Sequence, residues 1–186
     1  MTVIAFTGAK GCGKDTVADI IRRQYAHDWY DVQQIAFADP IKKQIQFLFG
    51  LRDILAYDQF KRTTVQYMGQ EMEGRHLVRE IGMMMRNYDP NQFNKYIENE
   101  FNTPALGLNK KLFLVTDMRF DNEYTMLRKH NAIIVKVSRP DHEYDGHITE
   151  RGFDDHLVDY HLCNDGSLPD LHDKVHTMIQ KIKESL

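Results

Sequence analysis

Seven residues near the start, Gly8-Ala9-Lys10-Gly11-Cys12-Gly13-Lys14, constrain most what this chain can fold into. They match the spacing G-x-x-x-x-G-K, and both flanks suit it. Thr2–Thr7 (TVIAFT) is a short β-prone apolar run, read as a buried strand. Residues 15–25 place Val17, Ile20, Ile21 and Tyr25 on one helical face. Glycines between a strand and a helix let backbone N–H groups curl around phosphate oxygens. The helix that follows aims its positive dipole end at the same anion, and Lys14 supplies a mobile cation for β- and γ-phosphates. The next position commonly carries Ser or Thr as a magnesium ligand. Here it is Asp15, followed by Thr16. Asp15 is expected to hold Mg2+, directly or through water, because that ion prefers oxygen ligands and retains waters. Thr16 is expected to donate to a phosphate.

The remainder alternates strands and helices. Val32–Ala38 reads as a second strand, and Asp39-Pro40 as an N-cap followed by proline at the first helical position. Ile41, Ile45 and Leu48 continue that helix to Gly50. Residues 51–102 read as helical and Thr103–Asn109 as loop. Leu112–Thr116 (LFLVT) is nearly all apolar, as central parallel strands are. A helix over 121–130 leads to a strand at Ala132–Val137. The polar segment Arg139–Gly152 is long for a simple connection. Leu157–Cys163 reads as a last strand, and Ser167 with Asp170 as a capping box for a final helix. Such alternation predicts a mostly parallel five-stranded sheet with helices on both faces. Ligands of these sheets sit at the carboxyl ends of the strands. Gly8–Thr16, Asp39–Lys42, Asp117–Arg119 and the chain from Arg139 onward should therefore be neighbours.

Three further groups carry chemistry. Arg75, Arg79, Gly82 and Arg86 recur at i, i+4, i+7 and i+11, one helix face suited to a second anion. Leu77, Val78, Ile81, Met84 and Met85 occupy the other face, and Gly82 would let a ligand approach the backbone. The plain alternative is a solvated face paired with Glu71, Glu73 and Glu80. Asp117 and Arg119 end the strongest strand, where an acid can organise magnesium or a water. Glu123, a helical turn on, is placed to meet a base or sugar. Arg139 and Arg151 flank the polar loop, a lid-like segment that could close over a transferring phosphoryl group. Tyr88, Phe93 and Tyr96 could stack on a base, but core packing is the favoured reading of these rings. The histidines crowding the last third follow no familiar metal spacing.

Composition excludes several other classes. The formal net charge of −3 disfavours a protein living on a nucleic-acid backbone. With 42% hydrophobic residues the chain can build a core, yet no apolar run reaches the roughly 20 residues that span a bilayer. No signal-peptide pattern opens the sequence. Two cysteines, Cys12 and Cys163, fit a reducing cytoplasm. The length, 186 residues, suits one domain.

Several short motifs then occur in one order. They are Gly11-Cys12-Gly13-Lys14-Asp15-Thr16, Ala38-Asp39-Pro40-Ile41-Lys42, Thr116-Asp117-Met118-Arg119 with Asp121 and Glu123, Val137-Ser138-Arg139-Pro140, His147-Ile148-Thr149-Glu150 and Asn164-Asp165-Gly166-Ser167. Together they resemble the deoxynucleoside monophosphate kinases of T-even and related bacteriophages. The resemblance implies a single domain with the three-layer α/β/α P-loop NTPase fold. Residues 51–102 would form a helical acceptor-binding excursion and 139–152 the lid. It implies transfer of the ATP γ-phosphoryl group to a deoxynucleoside monophosphate, with Mg2+ held by Asp15 and Asp117. By position, Lys10, Gly11, Gly13, Lys14, Asp15 and Thr16 would bind ATP. Ile41, Lys42, Arg75, Gly82, Arg119, Glu123 and Thr149 would bind the acceptor, with Phe93 near its base, and Arg79 joins them on the spacing of the arginine face alone. Lys14, Asp117, Arg119, Arg139 and Arg151 would serve the transfer. The partner would be a small nucleotide, not nucleic acid or membrane. A homodimer and a cytoplasmic setting, the host's for a phage protein, fit that reading. Two alternatives stay open: a kinase of another phosphorylated small molecule, such as phosphomevalonate or dephospho-coenzyme A, and a P-loop ATPase or switch.

Overall fold

The computed structural model describes residues 1–26, 31–104, 111–140 and 153–185. Among the described residues, seven strands and seven α-helices follow in order. They are β1 (Thr2–Thr7), α1 (Lys14–Tyr25), β2 (Asp31–Ile35), α2 (Asp39–Leu48), α3 (Ile54–Phe60), β3 (Thr64–Tyr67) and β4 (Gln70–Glu73). Next come α4 (Gly74–Tyr88), α5 (Gln92–Asn102), β5 (Lys111–Val115), α6 (Asp121–Lys129), β6 (Ile133–Ser138), β7 (Tyr160–Cys163) and α7 (Leu168–Ser185). The chain divides into two compact units, residues 1–36 with 101–186, and residues 37–100.

The first unit holds a five-stranded sheet in the order β2-β5-β1-β6-β7. All four of its pairings are parallel. The middle strand β1 is flanked on both sides, which explains its unbroken apolar run. Ile4 and Phe6 of β1, with Leu112, Leu114, Val135 and Val137, share a core with Val17 and Ile21 of α1 and Val175, Ile179 and Ile182 of α7. On the alternate residues, Phe113 meets Phe101 with ring centroids 4.9 Å apart. The last helix opens as its sequence predicts: Ser167 N–H donates to Asp170 Oδ2 at 2.8 Å, and Asp170 N–H to Ser167 Oγ at 3.4 Å. The last strand is shorter than its sequence suggests, with a 3-10 turn at Asp155–Leu157 before it. No helix among the described residues is long and apolar enough to cross a membrane.

The second unit is not purely helical. Between α3 and α4 lies an antiparallel hairpin, with Tyr67 paired to Gln70 across Met68-Gly69. Both turn residues have positive φ, 52° and 77°, as two-residue hairpin loops require. Its strands are polar and mostly exposed, and only Val65 and Met72, partners in register, are half-buried. So little alternation leaves no strand signal to read. Asp39 sits inside the first turn of α2 next to Pro40, and Ala38 takes the cap position without a side-chain bond.

Candidate active site

The phosphate loop forms where β1 runs out beneath α1. Gly8 has φ +133°, and a Cβ there would lie 2.1 Å from the Val137 carbonyl oxygen of β6. Gly13 takes the left-handed cap position of α1 at φ 109°. Cys12, fully buried, donates its N–H to Ala9 O at 3.3 Å. Lys14 is 8% exposed. Its ammonium donates to Gly8 O at 2.8 Å and Ala9 O at 2.7 Å. The loop's own carbonyls thus hold the cation against the curve of backbone that the glycines create. Lys10, Gly11, Asp15 and Thr16 are exposed around it. Asp15 Oδ1 accepts a long 3.4 Å bond from Gln34 Nε2 of β2.

A residue that carried no role in the sequence reading braces this loop. Asn164, just past β7, donates from Nδ2 to Cys12 O at 3.0 Å. The same amide nitrogen lies 2.6 Å from where a Cβ on Gly13 would sit. Its backbone N–H donates to Ser138 O at 2.7 Å. The following turn is tied to α7, because Lys174 donates to Cys163 O at 2.9 Å and pairs with Asp165. The hydrogen bond from Lys174 holds the Asp165 carboxyl below the usual carboxylate range. The only sequence signal for Asn164 was its place in the Asn-Asp-Gly-Ser motif. Asn164→Ala should weaken ATP binding by roughly fivefold, the worth of about 1 kcal/mol from one lost hydrogen bond. Asn164→Asp, which sets a carboxylate against the Cys12 carbonyl, should weaken it further. Titration of an ATP analogue followed by calorimetry measures both, and equal affinities in all three proteins would remove Asn164 from the loop's support.

Asp117 and Arg119 follow β5. Thr116 N–H donates to Ile35 O and Met118 N–H to Phe6 O, both at 3.2 Å, so the segment stays stitched to β2 and β1 beyond the regular strand. That leaves half-buried Asp117 at the carboxyl end of the sheet, one strand from the phosphate loop. Arg139 is exposed directly after β6, on the other flank of β1. Thr149 and Arg151, with all of the loop from 141 to 152, lie outside the described residues.

Glu123 has a structural task. It is fully buried, and its Oε2 accepts from Arg119 N–H at 2.8 Å and Phe120 N–H at 3.2 Å. The carboxylate occupies the third position of α6 and reaches back to the orphan donors of that helix start. This fixes the backbone turn that carries Arg119.

In the unit of residues 37–100, Leu77 of α4 is buried as its apolar face predicts, and Gly82, from the arginine face, is buried as well. A Cβ on Gly82 would come within 3.0 Å of Ile41 Cδ1, so the glycine's smallness serves the packing of α4 on α2. Ile41 is itself buried in that contact. Met84, expected inside, is 52% exposed. Phe93 is fully buried with the Arg86 guanidinium 4.4 Å from its ring centroid, in keeping with core packing. Lys42, Arg75 and Arg79 are half-buried.

The comparisons with known proteins agree with this geometry. A protein of Acanthamoeba polyphaga mimivirus described as "Putative deoxynucleotide monophosphate kinase" is 25% identical over 155 residues, 75% of each chain. Among solved structures, the dephospho-CoA kinase from Campylobacter jejuni superposes with a TM-score of 0.52 at 16% identity, covering 98% of both chains. That likeness establishes the P-loop kinase fold. The family model for deoxynucleotide monophosphate kinases matches residues 2–98 and 91–175. Since that match begins at the first residue of β1, runs through the phosphate loop and α4, and ends within α7, the chain belongs to the deoxynucleotide monophosphate kinase family.

Proposed function

We propose that this protein transfers the γ-phosphoryl group of ATP to the phosphate of a deoxynucleoside 5′-monophosphate, giving a deoxynucleoside diphosphate and ADP. The observation that carries the reading is the Lys14 ammonium, held on Gly8 O and Ala9 O inside a glycine loop at the carboxyl end of a parallel sheet. Phosphoryl transfer needs mainly positioning and charge neutralisation. Lys14 can pass from those carbonyls to the β- and γ-oxygens with little motion. Lys10, Gly11, Gly13 and Thr16 complete the ATP contacts through the loop backbone and the exposed hydroxyl at the helix start. The donor set also fits a hard cation, because exposed Asp15 and half-buried Asp117 both offer carboxylate oxygens near the loop's strand ends. Mg2+ bound there would neutralise charge on the transferring phosphoryl group. Arg119 and Arg139, with Arg151, would steady that group. Lys42, Arg75 and Arg79, with Thr149, would bind the acceptor, residues 37–100 serving as the acceptor-binding region of one kinase.

The test is a panel of dAMP, dGMP, dCMP and dTMP, their ribose counterparts, phosphomevalonate and dephospho-coenzyme A. Each is incubated with ATP and Mg2+ and the products are separated by chromatography. At least one deoxynucleoside diphosphate should form, with ATP hydrolysis much slower when no acceptor is present. Activity confined to the last two compounds, or hydrolysis indifferent to every acceptor, would overturn the reading.

A further inference from the structure

Three cations gather around one buried phenol in the unit of residues 37–100. Tyr57 of α3 is only 6% exposed. Lys61 Nζ lies 4.9 Å and Lys42 Nζ 6.0 Å from its ring centroid. The charge of Arg75, in the first turn of α4, acts on the same hydroxyl. Arg75 N–H donates to Lys61 O at 3.1 Å, which ties the start of α4 to the end of α3. The carboxylates acting on the group are Asp58 and Asp39. Asp58 is engaged with Lys61 at 2.7 Å. Lys42 and Arg75, both half-buried, have no ion pair among the described residues, and the Tyr57 hydroxyl has no hydrogen bond there. The ring is buried, but the hydroxyl is not among the enclosed side-chain atoms that lack a partner, so it is open to water or a ligand. An unpartnered donor beside two unpaired, half-buried cations is an arrangement complementary to an oxyanion bearing more than one negative charge.

We propose that the Tyr57 hydroxyl donates a hydrogen bond to the phosphate of the acceptor nucleotide, Lys42 and Arg75 supplying the charge and the Lys61–Asp58 pair holding the ring. This rests on the reading above, and adds to it an acceptor-binding residue outside the sequence motifs. Burial, reinforced by Asp58, pushes the hydroxyl up to about 12, so it remains a donor throughout the neutral range. A phosphate monoester dianion can accept that bond while its charge meets Lys42 and Arg75.

Tyr57→Phe keeps the ring and removes only the donor. With the deoxynucleotide that the wild-type enzyme phosphorylates, its acceptor KM should rise at least about tenfold, the cost of one hydrogen bond to a charged group. The KM for ATP and the melting temperature should stay as in the wild type. Lys43→Ala serves as a charge control, since Lys43 lies over the Tyr96 ring at 5.4 Å instead, and it should change neither KM. An unchanged acceptor KM in Tyr57→Phe would overturn the proposal, and so would equal losses for ATP and acceptor. Should the wild type phosphorylate no deoxynucleotide, the functional reading falls separately. Inorganic phosphate, titrated by calorimetry with the phosphate loop filled by ADP, then reads the subsite alone. Binding weakened in both Tyr57→Phe and Arg75→Ala supports it, and binding indifferent to Tyr57→Phe overturns it.

Discussion

Lys14→Ala is expected to lower the rate of phosphoryl transfer by about 100- to 1000-fold, the usual cost of removing one preorganised donor from a developing oxyanion. The structure supplies the reason for so large an effect. The ammonium is nearly buried and already fixed by two short bonds to Gly8 O and Ala9 O, so its placement costs little at the moment of reaction. The same bonds set the structural penalty. Two carbonyls at the rim of a loop lose a donor and turn to water, at about 1 kcal/mol each. For a chain of this size that corresponds to a melting temperature lower by roughly 4–8 °C. Lys14→Arg retains the charge, but its planar fork cannot reproduce a point charge between two carbonyls, and it should recover only part of the rate. Single-turnover rates with saturating ATP, beside thermal melts, separate the two effects. Near-wild-type transfer by Lys14→Ala would remove the phosphate loop from the chemistry.

The second large effect is on the fold itself. Gly8→Ala should destabilise the protein by about 3–5 kcal/mol, from a strained φ together with a hard overlap. At φ +133° the new Cβ would lie 2.1 Å from Val137 O, a backbone atom of a sheet strand that cannot swing aside. A loss of that size is a large part of a typical total of about 5–15 kcal/mol, so a fall of some 10 °C or more in melting temperature is expected. Gly50→Ala is the matched control. Gly50 also has positive φ, +63°, yet a Cβ there would meet nothing within 4 Å, so only the backbone penalty of about 1–2 kcal/mol remains. Equal melting temperatures for the two variants would show that the β6 contact does not constrain the loop.

Sequence by itself determined the features whose physics is local. Val3–Phe6 of β1 and Leu112–Val115 of β5 are apolar because strands flank them on both sides, and that condition is written into the run itself. The phosphate loop is legible for the same reason: the left-handed turns at Gly8, Gly11 and Gly13 are met by glycine at those positions. The Ser167–Asp170 cap needs only three residues of separation. Glu123 was within reach too, since an acid three residues past a helix start is a capping signal. Its place beside Arg119 made a ligand contact the more attractive reading.

Tertiary structure decided whatever depends on what a residue meets far along the chain. Asn164 braces Cys12 across 152 positions, and no spacing rule connects them. The 3.6-residue period grouped Gly82 with Arg75 and Arg79, but the neighbour across from it, Ile41, decides that it faces packing. Phe93 is fully buried beneath Arg86, a contact that only the fold brings about. The β3–β4 hairpin escaped the sequence because its stability comes from pairing between two polar segments, which leaves no apolar pattern in either. Tyr57 reads as one aromatic among many until the fold sets Lys42, Lys61 and Arg75 around it. Hydrogen-bond geometry and hydrophobic period act over a few residues and can be read in order, whereas burial and the company a charge keeps are properties of the folded chain.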